Sequence, residues 1–198
     1  MTDAAAVIRA GLPVILPTDT VYGLVCAAGT AEPTVRLYAL KGRAPQQPSA
    51  LLAPDVEAIL ECLPELGERE TAVVGALLPG PYTLVVPNAA RRFPWITGTS
   101  PETIGIRVPR LPGPAARVLG EVGCVVATSA NLPGGPDPAR VEDVPSVLRE
   151  QVGAVVDAGE LPGTPSTVVD LTDAEPRILR EGAVPAAAAL ALVASALA

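Results

Sequence analysis

Short runs of apolar, often β-branched residues alternate along the chain with longer stretches whose apolar positions recur every three or four residues. The short runs predict buried strands, and the longer stretches predict helices that pack on them. This alternation is typical of an α/β layer architecture. The predicted strands are 13–16, 49–53, 82–86, 104–108, 124–128, 154–157, 167–171 and 178–180, and the predicted helices are 3–10, 32–40, 55–62, 68–78, 114–121 and 145–152.

The two ends of the chain bear on its location. The apolar stretch 183–198 is shorter than the roughly 20 residues that a membrane-spanning helix needs, so it predicts a packed terminal helix beginning near Pro185. The first apolar run lacks a basic flank and contains Pro13, which is not the pattern of a signal peptide. We therefore expect a cytoplasmic protein. The length of 198 residues fits one domain, residues 1–198.

Composition narrows the chemistry. Hydrophobic residues make up 49% of the chain and charged residues 18%, which predicts a compact globule, and the net charge of −7 argues against a general nucleic-acid-binding surface. The absence of histidine excludes Ser-His-Asp and Cys-His nucleophiles and His-ligated zinc. The three cysteines are widely spaced and predict reduced thiols rather than a disulfide framework. The P-loop, Rossmann and G-x-S-x-G motifs are absent from the sequence.

Polar side chains cluster where predicted strands end or begin. The segment 17–24 leaves the first strand with two threonines, an aspartate and a tyrosine, and ligands bind at such strand-end loops in open α/β sheets. The same residues also suit a turn that caps the next element. Ser129 and Asn131 follow another strand, and Ser166 opens a third. Their side chains suit the carboxylate or phosphates of a small ligand, and ordinary loop capping is the alternative.

Three cations stand out by their positions. Lys41, the only lysine, and Arg43 flank a glycine after a predicted helix. There they either complement the helix dipole or bind phosphate. Arg107 lies among apolar residues of a predicted strand, so it needs either an anionic partner in the core or an open cleft.

Together these segments resemble the YrdC/Sua5 family, the threonylcarbamoyl-AMP synthases that make the activated intermediate for N6-threonylcarbamoyladenosine in tRNA. The matching segments occur in the family's order, and the length is similar to that of the short, single-domain members. The resemblance implies an α/β fold in which a twisted mixed sheet with helices surrounds a concave basic cavity. The segments are Pro17–Leu24, Lys41 with Arg43, Gly105–Pro109, Thr128–Asn131, Ser166–Asp170 and Ile178–Gly182.

The resemblance also implies roles for individual residues. It assigns Lys41 and Arg43 as catalytic cations and assigns no metal-ligating residue. Some members carry a histidine where this chain has Leu52, and many have an asparagine where it has Gln47. The implied contacts to L-threonine are Thr20, Arg107 and Ser166, and those to ATP are Arg43, Gln47, Thr103, Ser129, Asn131 and Arg180.

The implied reaction joins L-threonine, bicarbonate or CO2, and ATP, with Mg²⁺ accompanying ATP, to give threonylcarbamoyl-AMP and pyrophosphate. The carbamate formed first is already an anion, so its attack on the α-phosphorus needs no side-chain base, which suits a chain without histidine. The group that accepts the proton of the threonine amine is left open. Asp19 is one candidate, and the alternative is that Asp19 only stabilises its turn. A separate transferase would move the group to tRNA, so any contact with tRNA or transferase proteins would be transient, and no membrane is expected.

Two other functions remain open at this stage. One is an RNA-binding module without synthase activity, against which the net charge of −7 and the 3% aromatic content argue. The other is a relative that binds a nucleotide but performs a different carbamoyl transfer. Dependence of pyrophosphate release on L-threonine separates these functions from the first.

Overall fold

The computed structural model describes residues 3–198 and confirms the predicted α/β class. The described chain contains the strands β1 Val14–Pro17, β2 Tyr22–Ala27, β3 Ala50–Leu52, β4 Tyr82–Pro87, β5 Thr103–Arg107, β6 Val125–Ser129, β7 Ala154–Val155, β8 Thr167–Asp170 and β9 Arg177–Arg180. Its helices are α1 Ala4–Arg9, α2 Ala31–Lys41, α3 Val56–Cys62, α4 Glu68–Leu77, α5 Gly113–Val122, α6 Ser146–Arg149 and α7 Ala186–Ala196, with a short 3-10 helix at Val141–Asp143.

The strands form a single mixed sheet in the order β7-β1-β2-β6-β3-β5-β4-β8-β9. Three pairs are parallel, namely β1 with β7, β3 with β5 and β4 with β8. The other neighbours are antiparallel, so β6 runs antiparallel to both β2 and β3. A register shift interrupts the β8–β9 pair between Val168 and Val169.

Local signals explain where several helices begin and end. The Asp3 carboxylate accepts hydrogen bonds from the backbone N–H groups of Ala5 and Ala6 and so caps α1. Asp55 caps α3 in the same way. Gly42 ends α2 in the left-handed conformation, with φ of 68°. That turn makes Lys41 the last helical residue and leads the chain to Arg43.

The sheet has two different faces, because successive side chains of a strand point to opposite sides. On one face, Leu84, Ile106 and Val169 belong to a large core cluster to which α2, α3, α4 and α7 contribute. On the other face, a smaller cluster that includes Ile8 of α1 and Leu119 of α5 covers the region of β1, β2, β6 and β7 and the end of β3. The rest of that second face, over β4, β5 and β8, is not covered by either helix.

The structure departs from the sequence prediction at three elements, one of which is the strand predicted over 154–157, observed as Ala154–Val155. β2 was not among the predicted strands, because Gly23 and the polar residues before it indicate a loop, yet it lies in the sheet between β1 and β6. The helix predicted over 145–152 is shorter, Ser146–Arg149. The terminal helix is confirmed as α7, whose Ala189 and Val193 are buried. Among the residues described, no helix combines the length and the apolarity that crossing a bilayer requires.

Gly182 lies where two backbone segments nearly touch. A Cβ atom at this position would lie 2.2 Å from the carbonyl oxygen of Pro165 and 2.7 Å from that of Ser166. Backbone atoms cannot move aside as a flexible side chain can, so the close approach requires glycine. The same approach brings the N–H of Gly182 to the Thr167 hydroxyl, at 3.1 Å.

We expect Gly182→Ala to lower the free energy of unfolding by about 1–3 kcal/mol, because the added methyl group pushes two backbone segments apart. Gly120→Ala is the matched control, because Gly120 lies in α5 with no atom within 4 Å of its Cβ position. The control should be neutral or stabilising by up to about 1 kcal/mol, since alanine is the better helix former. Urea denaturation measures both, and equal stability of the two variants would contradict the expectation.

Candidate functional site

The uncovered face of the sheet forms the floor of a cavity of about 560 Å³. Strand alternation explains the floor, since the residues that line it are the neighbours of side chains in the large core cluster. The floor residues are Ala50 and Leu52 of β3, Thr83 and Val85 of β4, Gly105 and Arg107 of β5, Ala127 and Ser129 of β6, and Val168 and Asp170 of β8.

A second cavity of about 240 Å³ adjoins the first. Arg43, Ser129, Asp137 and Arg180 line both, so the two spaces share a wall of side chains. The smaller cavity is also lined by Lys41, Gln47, Asn131 and the loop Leu132–Gly134.

Lys41 is a buried cation held by neutral oxygen atoms. It is 2% exposed, and its Nζ donates to Thr128 Oγ1 at 3.1 Å, to Asn131 Oδ1 at 3.0 Å and to the carbonyl oxygen of Ser129. Burial and then the nearby positive charge of Arg43 lower the pKa of Lys41 from 10.5 to about 8, while Asp137 acts in the opposite direction. Within residues 3–198 it forms no ion pair, so no carboxylate neutralises its charge.

Arg43 is positioned by main-chain carbonyls and an aromatic ring. Its Nη2 donates to the carbonyl oxygen of Pro48, and its Nε lies 3.4 Å from that of Gln47. The guanidinium carbon lies 5.8 Å from the centroid of the Tyr38 ring, a cation–π distance. Like Lys41, Arg43 has no ion pair to any residue that the structure describes.

Arg107 combines both of the roles that the sequence left open. Its Nη2 lies 2.6 Å from Asp19 Oδ1 and 2.6 Å from Thr20 Oγ1, and it also lines the larger cavity. Burial lowers the pKa of Arg107, and Asp19 counteracts that effect. The other oxygen of Asp19 accepts the backbone N–H of Arg110 at 3.0 Å. Asp19 is therefore engaged at both oxygens and acts as a positioning residue for Arg107.

Arg180 and Ser166 form a second polar contact, and both line the larger cavity. Arg180 donates to the carbonyl oxygen of Ser166 from Nε at 3.2 Å and from Nη2 at 2.8 Å, and Nη2 lies 3.2 Å from the Ser166 hydroxyl. That hydroxyl also lies 2.8 Å from the hydroxyl of Thr83. The arrangement holds the Ser166 side chain toward the cavity and leaves Arg180 without an ion pair among the described residues.

The structure brings the sequence-predicted site residues together with one exception. Thr20 lines neither cavity and is fully buried, so it contributes through its bond to Arg107. Asn131 links Lys41 to its loop, since its Oδ1 accepts from Lys41 and its Nδ2 donates to the Gly135 carbonyl at 2.7 Å. The other predicted residues line the larger cavity, the smaller one or both: Lys41, Arg43, Gln47, Thr103, Arg107, Ser129, Asn131, Ser166 and Arg180.

Sequence reasoning missed several lining hydroxyl groups. Thr83 faces the cavity because β4 alternates, and the period-2 pattern of the strand could have revealed it. Thr97, Thr99 and Ser100 also line the cavity, but they lie in an irregular loop where no pattern marks their direction. Leu52, where some family members carry a histidine, also lines the cavity and presents an apolar side chain there.

The site is locally basic although the chain carries a net charge of −7. Four cations, Lys41, Arg43, Arg107 and Arg180, line the two cavities, whereas the lining carboxylates are Asp137 and Asp170. Asp170 is itself paired with Arg177 at 2.9 Å. Among residues 3–198, no group of three or more side chains is arranged to hold a metal ion. The arrangement suits a polyanion beside a small polar molecule.

Comparisons with known proteins agree with this geometry. Over 188 residues the chain is 36% identical to a Mycobacterium tuberculosis protein whose name as a threonylcarbamoyl-AMP synthase is provisional, covering 93% of this chain and 84% of that protein. It is 34% identical to the threonylcarbamoyl-AMP synthase of Pseudomonas syringae, covering 91% of this chain and 96% of the relative.

Two solved structures are similar in fold. The Pyrococcus abyssi Sua5 structure complexed with L-threonine has a TM-score of 0.86 and 30% identity, and the match covers 96% of this chain but 56% of the Sua5 chain. The Escherichia coli YciO structure has a TM-score of 0.78 and 27% identity, with 91% of this chain and 87% of YciO covered. The Sua5/YciO/YrdC family model, described as telomere recombination, matches residues 6–182. The chain belongs to this family and has its YrdC-like fold.

Proposed function

We propose that this protein is an L-threonylcarbamoyladenylate synthase, a nucleotidyltransferase that makes threonylcarbamoyl-AMP and pyrophosphate from L-threonine, bicarbonate or CO2, and ATP for tRNA modification. The observation that carries the proposal is the meeting of three unpaired cations, Lys41, Arg43 and Arg180, at the small cavity. That cavity adjoins a larger, hydroxyl-lined one. The names of the relatives support the same reaction, and none supports the RNA-binding alternative.

The chemistry needs charge neutralisation and positioning more than proton transfer. The free amine of threonine and bicarbonate give the carbamate with release of water. The same amine and CO2 give the carbamate and one proton, which passes to the solvent. A carbamate oxygen then bonds to the α-phosphorus, and the bond from that phosphorus to the bridging oxygen breaks to release pyrophosphate. Orientation and fixed positive charge lower the barrier to such a displacement.

The unpaired cations fit the triphosphate. Lys41 donates from a buried amine, which strengthens its interaction with an anion because little water competes. Arg43 and Arg180 present guanidinium groups that can bind phosphate oxygens in pairs. Asn131 and Ser129 hold the Lys41 amine at the wall of the small cavity. Gln47 and Thr103 line the remaining space and would contact the nucleotide.

Arg107 and Ser166 fit the amino acid. The Arg107 guanidinium faces the larger cavity while Asp19 and Thr20 hold it from behind, so it can bind the threonine carboxylate. Its Nε has no partner among the described residues. The Ser166 hydroxyl, held by Thr83, can bind a second polar group of the substrate.

Mg²⁺ enters this proposal as part of the substrate, MgATP. Mg²⁺ usually keeps several waters and binds through phosphates and one or two carboxylates. The described residues fit that mode because they offer no cage of three ligands, whereas Asp137 lies beside both cavities. The tRNA and the proteins that transfer the threonylcarbamoyl group are proposed as transient partners.

Purified protein should release pyrophosphate from MgATP and bicarbonate only when L-threonine is present, because the carbamate of threonine is the nucleophile. A coupled pyrophosphate assay measures the release, and mass spectrometry identifies threonylcarbamoyl-AMP. Reactions without threonine and in bicarbonate-depleted buffer are the controls. Release at the same rate without threonine would overturn the proposed function.

Lys41→Ala and Arg43→Ala should each reduce the rate of synthesis by roughly 10-fold to over 100-fold, because each removes one charge-assisted phosphate contact worth about 1.5–3 kcal/mol. Arg117→Ala is the control, since Arg117 is exposed on α5 and lines neither cavity. Circular dichroism checks that all three variants fold. Near wild-type activity of the folded Lys41 and Arg43 variants would remove both residues from the mechanism.

The kcat/KM for ATP should fall as the pH rises through about 8, because Lys41, whose pKa is lowered to about 8, is a cation below that pH and neutral above it. Lys41→Arg keeps the positive charge throughout this range, so its profile should lose that fall even if its absolute activity is lower. Matching profiles for the wild type and the Lys41→Arg variant would show that another group titrates.

A further inference from the structure

Two cysteines from separate parts of the chain meet at the start of β6, an inner strand of the sheet. Cys62 is the last residue of α3, and Cys124 immediately precedes β6. Their sulfur atoms lie 3.3 Å apart, and both side chains are half-buried. Neither cysteine lines the cavities that hold the proposed substrates, so the proposed synthesis leaves this pair unused.

We propose that Cys62 and Cys124 are a site of reversible covalent modification, at which a peroxide or a low-molecular-weight disulfide converts the two thiols to a disulfide. A disulfide has a sulfur–sulfur bond of about 2.05 Å, so the two sulfur atoms must approach by roughly 1.3 Å. A side-chain rotation supplies a movement of that size. The partial exposure of both residues gives a small oxidant access to them.

The chemistry balances with either oxidant. With a peroxide, the Cys62 thiolate takes one oxygen and forms a sulfenic acid, and the peroxide's other oxygen leaves as hydroxide or alkoxide. The Cys124 sulfur then bonds to the Cys62 sulfur, and water leaves with the Cys124 proton. With a low-molecular-weight disulfide, Cys62 forms a mixed disulfide, which Cys124 resolves by releasing the second thiol.

The surroundings distinguish the attacking thiol from the resolving thiol. The hydrogen bond from Cys124 lowers the pKa of Cys62 to about 7, with help from Arg92 and against burial and the charge of Glu61. The same hydrogen bond and burial raise the pKa of Cys124. Of the two thiols, Cys62 is therefore the one that ionises more readily near neutral pH, and the thiolate is the nucleophilic form.

The third cysteine differs from this pair in each respect. Cys26 lies inside β2 with no exposed surface, and burial raises its pKa to about 12. It belongs to the large core cluster, where a dissolved oxidant does not reach it. Cys26 is therefore an internal control for oxidation at the pair.

The disulfide would tie the end of α3 to the start of β6. β6 pairs with both β2 and β3, and its far end carries Thr128 and Ser129, which hold Lys41. The link closes a long loop of chain, and such links stabilise a fold largely by restricting the unfolded chain. Oxidation should therefore raise the melting temperature.

In the test, the folded protein is treated with hydrogen peroxide or oxidised glutathione and then denatured, so that all remaining thiols can be titrated, and peptide mapping identifies any linked pair. The wild type should fall from three free thiols to one, with a Cys62–Cys124 peptide that dithiothreitol reverses. The matched control Cys26→Ser should yield the same linked peptide. Cys62→Ser and Cys124→Ser should yield no intramolecular link, and the melting temperature should rise by several degrees on oxidation only in the wild type and Cys26→Ser.

Other outcomes would overturn the inference. If the wild-type protein keeps all three thiols at oxidant concentrations that modify exposed cysteines, the inference is wrong. Oxidation of Cys62 to a sulfenic acid or a mixed disulfide that Cys124 does not resolve would also overturn it. Neither result bears on threonine-dependent pyrophosphate release, so failure of this inference and failure of the proposed function are distinguishable.

Discussion

The whole site depends on a sheet that buries one face and leaves part of the other uncovered. Each strand that lines the cavity sends alternate side chains into the large core cluster, so Leu84, Ile106 and Val169 anchor the backbone that presents Thr83, Arg107 and Asp170. A functional side chain in this arrangement inherits the rigidity of its apolar neighbours. The cavity is thus a direct product of strand geometry rather than a gap between loosely packed loops.

A second constraint concerns charge. A cation attracts an anionic ligand most strongly when no carboxylate of the protein already neutralises it. Lys41, Arg43 and Arg180 are held by carbonyl, hydroxyl and amide oxygens, and these fix position without cancelling charge. Arg107 differs from these three cations, because its ion pair with Asp19 neutralises part of its positive charge. The three unpaired cations suit a highly charged triphosphate, whereas a partly neutralised one suits a single carboxylate.

The sequence predicted the fold class and most elements, because strands, glycine turns and strand-end polar clusters are local signals. All of its candidate site residues except Thr20 line the cavities, but many other lining residues, Thr83 among them, were not predicted. β2 escaped prediction because Gly23 and the polar run before it resemble a loop, and only pairing with β1 and β6 makes it a strand. The partnership of Asp19 with Arg107 spans 88 positions. No local pattern in one sequence reveals such a contact, and the same holds for the meeting of Cys62 with Cys124. The placement of Thr20 behind Arg107 rather than in the cavity also required the tertiary structure.

Because β9 is an edge strand, the two sides of the small cavity differ in how many neighbouring strands support them. β9 is the last strand of the sheet and pairs only with β8, across a register shift next to Val168. A strand with one neighbour has half the backbone restraints of an inner strand, and Leu179 beside Arg180 is 57% exposed. Lys41, in contrast, is buried against an inner strand of the sheet. The small cavity is therefore bounded by one cation on the edge strand, Arg180, and by one cation buried against an inner strand, Lys41.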